Sequence, residues 1–193
     1  MKLVSAAKLN RAQDAVSRSR EYSSVLSQVM NSILSEISAE DINHPLMKAR
    51  KEVKNIRLLI VGASRGLCGA YNTNINKAVE AFFREHRGAN ITVDATIVGK
   101  KPAEYFRRTL RKIGKSYEKL AEDPNLWPIQ EIAQNLEADY INEKIDEVYL
   151  IYTNFKSVLS QRPVVEKLLP FSIDTESTNH KAETGASGVT LFE

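Results

Sequence analysis

The stretch IRLLIVGASRGLCGAYNTNINKAVEAFF, residues 56–83, decides the fold. Residues 56–61 form a short, nearly continuous apolar run, the pattern of a strand buried within a parallel sheet. Residues 62–69 are then punctuated by Gly62, Gly66 and Gly69. Beyond them Ile75, Ala78, Val79, Phe82 and Phe83 recur at helical spacing, with Asn72 or Asn74 placed to cap the helix and Gly88 to stop it. Strand, glycine-rich loop and helix in that order are the start of a βαβ unit.

Towards the C-terminus the alternation repeats. Residues 91–98 (ITVDATIV) read as a second strand, and Pro102 suits the first turn of a helix carrying Tyr105, Phe106, Leu110 and Ile113. Residues 114–127 leave room for a short edge strand. Pro128 opens a helix with Ile129, Ile132, Ala133, Leu136 and Tyr140, and 148–152 (VYLIY) is a further strand. Residues 164–169, between Pro163 and Pro170, read as an edge strand, because proline cannot donate to a ladder. Trp127, Tyr105 and Phe106 are expected in the core. Strands alternating with helices of this length imply a parallel sheet with helices on both faces and right-handed crossovers.

Towards the N-terminus, residues 1–38 contain neither Gly nor Pro. From Tyr22 the apolar residues Val25, Leu26, Val29, Met30, Ile33, Leu34 and Ile37 lie on one helical face, and upstream that face narrows to Ala6, Ala7, Leu9, Ala12, Ala15 and Val16. Alanine allows close approach of a second helix. A continuous helix here would run about 55 Å at 1.5 Å per residue, longer than so small a domain is wide, so it is expected to project and to need a partner. The alternative is a helix broken near Ser17 and Ser19 and folded back. The expected fold is thus α/β: a Rossmann-like, three-layer parallel-sheet domain over 41–171 with a long projecting N-terminal helix over 1–40. Residues 172–193 are a polar loop ending in an apolar restart at Val189, Leu191 and Phe192, as though the sequence were cut in mid-structure.

The chain has 193 residues, 42% apolar and 26% charged, a globular mixture. Its net charge of +3 is too mild for a nucleic-acid binder, which needs a concentrated basic face. Positions 1–20 carry Lys2, Lys8, Arg11, Arg18 and Arg20 against Asp14 alone, which fits either an acidic partner or a solvated helix face. The single Cys68 forms no intrachain disulfide, and with His44, His86 and His180 scattered there is no metal-ligand spacing. No apolar run approaches a bilayer span, and the first residues lack the apolar h-region of a signal peptide.

The loop 62–69 is where chemistry would sit, since open α/β sheets bind ligands between strand and following helix. Its G-x3-G-x2-G spacing meets neither the dinucleotide fingerprint nor the P-loop, which also requires Gly-Lys-Ser/Thr. Gly62-Ala63-Ser64-Arg65-Gly66 is literally G-x-S-x-G, but Gly66 and Gly69 delay the helix and no oxyanion loop precedes it. Cys68 lies near Arg65 without a local His to serve as base. The alternative function carried forward is therefore a small nucleotide-binding or serine hydrolase domain using this loop.

Several segments together resemble the γ subunit of F-type ATP synthases. Met1-Lys2-Leu3-Val4-Ser5-Ala6-Ala7-Lys8-Leu9 with Arg11 is similar to that family's basic, Ala-rich shaft helix. Arg65-Gly66-Leu67-Cys68-Gly69 with Asn72 and Asn74 is similar to its most recognisable loop. Gly99-Lys100-Lys101 through Tyr105-Phe106, Val148 to Tyr152 with Asn154-Phe155-Lys156-Ser157, Ser160-Gln161 and Leu168-Leu169-Pro170 match in order along essentially the whole chain. Ser64 stands where the family usually has an acidic residue, and Ala70 where it has a second glycine. The resemblance implies that residues 1–40 are half of a coiled coil. It also implies about 20 more helical residues before Met1 and a long C-terminal helix as the other half.

What it implies for function is a non-catalytic central-stalk rotor. Such a subunit couples proton-driven rotation of the c-ring to ATP synthesis or hydrolysis on the ring of three α and three β subunits. Expected partners are the α and β subunits, ε and the c-ring, with the complex peripheral on the cytoplasmic face of the inner (plasma) membrane and attached only through Fo. The resemblance assigns this chain no catalytic, cofactor-binding or metal-ligating residue. It assigns Met1, Lys2, Lys8 and Arg11 to acidic β-subunit loops, and Arg65, Gly66, Leu67 and Cys68 to a domain-forming loop that faces a partner.

Overall fold

The computed structural model describes residues 2–36, 44–87, 90–157 and 160–171. The chain divides into two units, one of residues 1–42 with 173–193, the other Asn43–Ser172. Within the first unit α1 spans Lys2–Glu36 without interruption, so no break occurs at Ser17 or Ser19. Its 35 residues extend over about 52 Å at the helical rise. Among described side chains from 6 to 33, all but Gln13 and Asn31 are exposed, including Tyr22, Val25, Leu26, Val29, Met30 and Ile33. Ile37 and the last expected residues of that helix, the stop at Gly88 and the polar loop 172–193 lie outside the described residues.

The second unit contains β1 (Asn55–Val61), α2 (Tyr71–Glu85), β2 (Thr92–Val98), α3 (Lys100–Arg108), β3 (Ile113–Tyr117), α4 (Ile129–Ile141), β4 (Glu147–Ser157) and β5 (Ser160–Leu169). They form one five-stranded sheet in the order β3-β2-β1-β4-β5. β1 pairs parallel with β2 and β4, and β2 with β3. Central β1 shows why the run at 56–61 is apolar on both faces but for Arg57: Ile56, Leu58 and Ile60 are buried with Ile75, Val79, Phe82 and Phe106 of α2 and α3, while Leu59 and Val61 pack on the other side with Ile132, Leu136 and Tyr140 of α4. Helices cover both faces, and Trp127 and Tyr105 pack against these cores from partly buried positions.

Several local expectations change. The sheet is not wholly parallel, because β5 runs antiparallel to β4 in a hairpin from Val148↔Leu169 to Ser157↔Ser160. Both strands are longer than their apolar runs, since the hairpin continues past the last β1 pair, Ile60↔Ile151. Pro163 lies inside β5 opposite Thr153, tolerated because β5 is an edge strand. Neither Asn72 nor Asn74 caps α2; Ala70 holds that position without a side-chain bond. α3 ends at Arg108, so Leu110 is exposed beyond it and Ile113 opens β3. Ile129 is also exposed, at the first position of α4.

One charged residue interrupts β1. Arg57 lies directly across from Asp94 of β2, donating from Nε to Oδ1 at 2.7 Å and from Nη2 to Oδ2 at 2.9 Å, and it reaches Asp139 of α4 through Nη1. The Asp94 hydrogen bonds, outweighing burial, hold the guanidinium well above its ordinary pKa. Burial pushes the Asp139 carboxyl up, but hydrogen bonds from Arg57 and Lys144 bring it below the usual carboxylate range.

Candidate functional site

The strand order reverses direction around β1, with β2 on one side and β4 on the other, and loop 62–69 leaves the carboxyl end of β1 at that switch point. Its base is fixed by backbone contact with the next βα turn. A Cβ on Gly62 would lie 2.8 Å from Pro102 Cγ, and one on Gly99, at φ +112°, would lie 2.3 Å from the Gly62 carbonyl oxygen. Gly62 N–H donates to Val98 O at 2.9 Å, and Lys101 N–H to Ala63 O at 3.0 Å. Only glycine at 62 and 99 lets the two turns meet this closely.

Asn72, within the first turn of α2, ties both arms of the loop. Its Oδ1 accepts from Ala63 N–H at 3.1 Å and its Nδ2 donates to Cys68 Sγ at 2.9 Å. Residues 65–69 then form an exposed apex. Leu67 is fully exposed at φ +59°, a left-handed conformation rare for a bulky residue. Arg65 Nη2 pairs with Glu122 Oε1 at 2.7 Å, an exposed pair contributing under about 1 kcal/mol.

Chemically the apex offers little. Lys101 lies beside Gly66, but its ammonium is bound to Glu104 at 2.8 Å, so both cations at the loop, Arg65 and Lys101, are engaged by carboxylates. Ser64 Oγ is buried without a hydrogen-bond partner among the described residues. His86 is at the far end of α2, its ring stacked on Phe82 at 4.1 Å and its Nδ1 2.8 Å from Phe82 O. His44 Nδ1 accepts from Leu46 N–H. Neither described histidine, then, is hydrogen-bonded to Ser64 as a base would be. A cavity of about 220 Å³ beside the loop is lined by Cys68, Tyr71, Asn74, Thr153, Gln161 and Pro163 among others. Burial pushes the Tyr71 hydroxyl pKa up.

The eight expected contact residues fall into two sets. Arg65, Gly66, Leu67 and Cys68 meet at one exposed loop of the second unit. Lys8 and Arg11 are exposed and three residues apart on α1, hence neighbours on its surface. Lys2 is the first residue of α1, and Met1 lies outside the described residues. Sequence reasoning missed Asn72 as the loop's tether. The available signal was an amide side chain four residues after Cys68, one helical turn on.

An α/β sheet domain joined in one chain to a long helix with an open apolar stripe, and carrying a tethered outward loop at its switch point, is the class that fold and site define. The chain belongs to the ATP synthase family, whose model matches residues 1–191. It is 40% identical over 170 residues to the ATP synthase gamma chain of Synechococcus sp. strain JA-2-3B'a(2-13), covering 88% of this chain and 54% of that one. It is 39% identical over 176 residues to the ATP synthase gamma chain of Nostoc sp. strain PCC 7120, covering 91% and 55%. The chain spans about half the length of these curated relatives. The central stalk/c-ring structure of Tetrahymena thermophila mitochondrial ATP synthase aligns with a TM-score of 0.49 at 25% identity, over 66% of this chain and 56% of that one.

Proposed function

We propose that this chain is part of a γ-type rotor subunit of an F-type ATP synthase, without catalytic chemistry of its own. The observation that carries the reading is the family match across residues 1–191, together with relatives named ATP synthase gamma chain. The exposed stripe of α1 supports it: six large apolar side chains between Tyr22 and Ile33 are open to water, as expected of one strand of a coiled coil. In this reading residues 1–40 are the shaft helix, 41–171 the globular domain and 172–193 the start of a return segment. Met1, Lys2, Lys8 and Arg11 face acidic loops of the β subunits, while Arg65 to Cys68 touch a neighbouring subunit. The partners are α, β, ε and the c-ring.

The physics is mechanical coupling. An asymmetric shaft changes each β site only by interacting differently with its successive conformations. No described helix is long and apolar enough to cross a membrane. Attachment through Fo to the cytoplasmic face of the inner membrane belongs to the same proposal.

The test is capture of the chain by purified α and β subunits, beside a thermal shift series with ATP, ADP and NAD. The reading expects capture, weakened by Lys8→Glu with Arg11→Glu and by rising salt, and no nucleotide-dependent Tm shift of the chain alone. Nucleotide stabilisation without capture would instead favour an enzyme using loop 62–69.

A further inference from the structure

α3 ends in a Schellman motif. Leu110 N–H donates to Arg107 O at 3.3 Å and Arg111 N–H to Phe106 O at 3.0 Å, which places Leu110 at the left-handed position beyond the helix cap, φ +54°. Glycine is the usual residue there, with Asn next. α4 closes in the same way with Glu143 at φ +58°, but Glu143 gains a bond from Arg50 at 3.1 Å. Leu110 gains nothing comparable: it is 93% exposed, so the leucine serves neither the turn nor the core.

Its surroundings are cationic. Residues 100–115 hold seven Lys or Arg against the single Glu104, leaving the rest of the chain net negative. Arg111 is held by Glu80 and Arg107 by Glu118. Arg108 and Lys112, exposed on either side of Leu110, have no carboxylate within ion-pair range among the described residues. The turn lies at the amino ends of the parallel strands, the end of the sheet opposite to loop 62–69.

The geometry points to a second contact surface, in which Leu110 is an apolar anchor and Arg108 and Lys112 are its cationic rim. Its occupant is a protein surface with an apolar pocket edged by carboxylates. A single anchoring side chain within a charged rim is how protein interfaces concentrate binding energy. A lipid surface fits less well, since membrane-lying segments present a whole apolar helix face rather than one leucine. This inference rests on the subunit reading above, because an assembly supplies the partner.

Hydroxyl-radical footprinting tests it on the full chain, free and assembled with its α, β and ε subunits, with exposed Leu126 as reference. Leu110 oxidation should fall severalfold in the assembly relative to Leu126. Arg108→Glu with Lys112→Glu should restore it while leaving the free chain's Tm and its incorporation unchanged. Incorporation with Leu110 still fully oxidised would overturn the surface while leaving the rotor reading intact. Protection indifferent to the charge reversal would overturn the acidic partner. Protection arising only when vesicles of phosphatidylglycerol and phosphatidylethanolamine are added would overturn it in favour of a membrane. Failure of the unaltered chain to incorporate at all would sink both readings together.

Discussion

Arg57 is the side chain on which the sheet's charge balance turns. It sits between Asp94 and Asp139 with its own side chain only 14% exposed, so removing it strands a buried carboxylate. Arg57→Met should destabilise the α/β unit by about 3–5 kcal/mol, read from urea unfolding, and Arg57→Met with Asp94→Leu should recover much of that loss. Asp139 adds a pH dependence. Its folded carboxyl titrates below the unfolded one, so its contribution is complete above the ordinary aspartate value of about 3.9 and is lost as pH falls through the lowered folded value. Asp139→Asn should therefore flatten the acid limb of a stability profile below about pH 4. Asn72→Ala should cost roughly 1 kcal/mol and speed thiol labelling of Cys68, whose sulfur would lose its amide donor. Of these residues the glycines and the loop were legible from spacing. Arg57 was visible as a charge within an apolar strand, but its partners depend on register and on where α4 lands, which periodicity does not encode.

At the scale of elements, helix ends proved less readable than helix faces. Ile75, Val79 and Phe82 of α2 are buried as their spacing demands, and so are Ile132, Leu136 and Tyr140 of α4. Leu110 continued the helical spacing of α3 although the helix had already closed, because nothing in an apolar pattern distinguishes a last turn from a cap. Leu110→Gly should stabilise the unit by about 1 kcal/mol by removing a left-handed leucine. Its Tm should rise even as the proposed surface loses its anchor. α1 behaves differently, since its apolar stripe is open along described residues from Leu9 to Ile33. Sedimentation of the free chain should show concentration-dependent self-association, and Val29→Asp should reduce it without lowering the Tm of the Asn43–Ser172 unit. The β4–β5 hairpin was half legible: both apolar runs stood out, while their antiparallel pairing and extension to Ser157 and Ser160 rest on a register that composition does not reveal.

For the molecule as a whole, alternation of strand and helix was enough to define a mostly parallel α/β sheet covered on both faces, because βαβ units have few ways to bury an apolar strand. Strand order was not readable in the same way: every crossover can step to either side of the strand before it, and the observed order reverses around β1. The family, too, was legible from short motifs in order, whereas the contacts assigned to Lys8, Arg11 and residues 65–68 require partner chains. Native mass spectrometry of the complex isolated through this chain tests the rotor reading most directly. The account predicts one copy of the chain with three α and three β subunits. A species lacking α and β, or one carrying as many copies of this chain as of β, would contradict it.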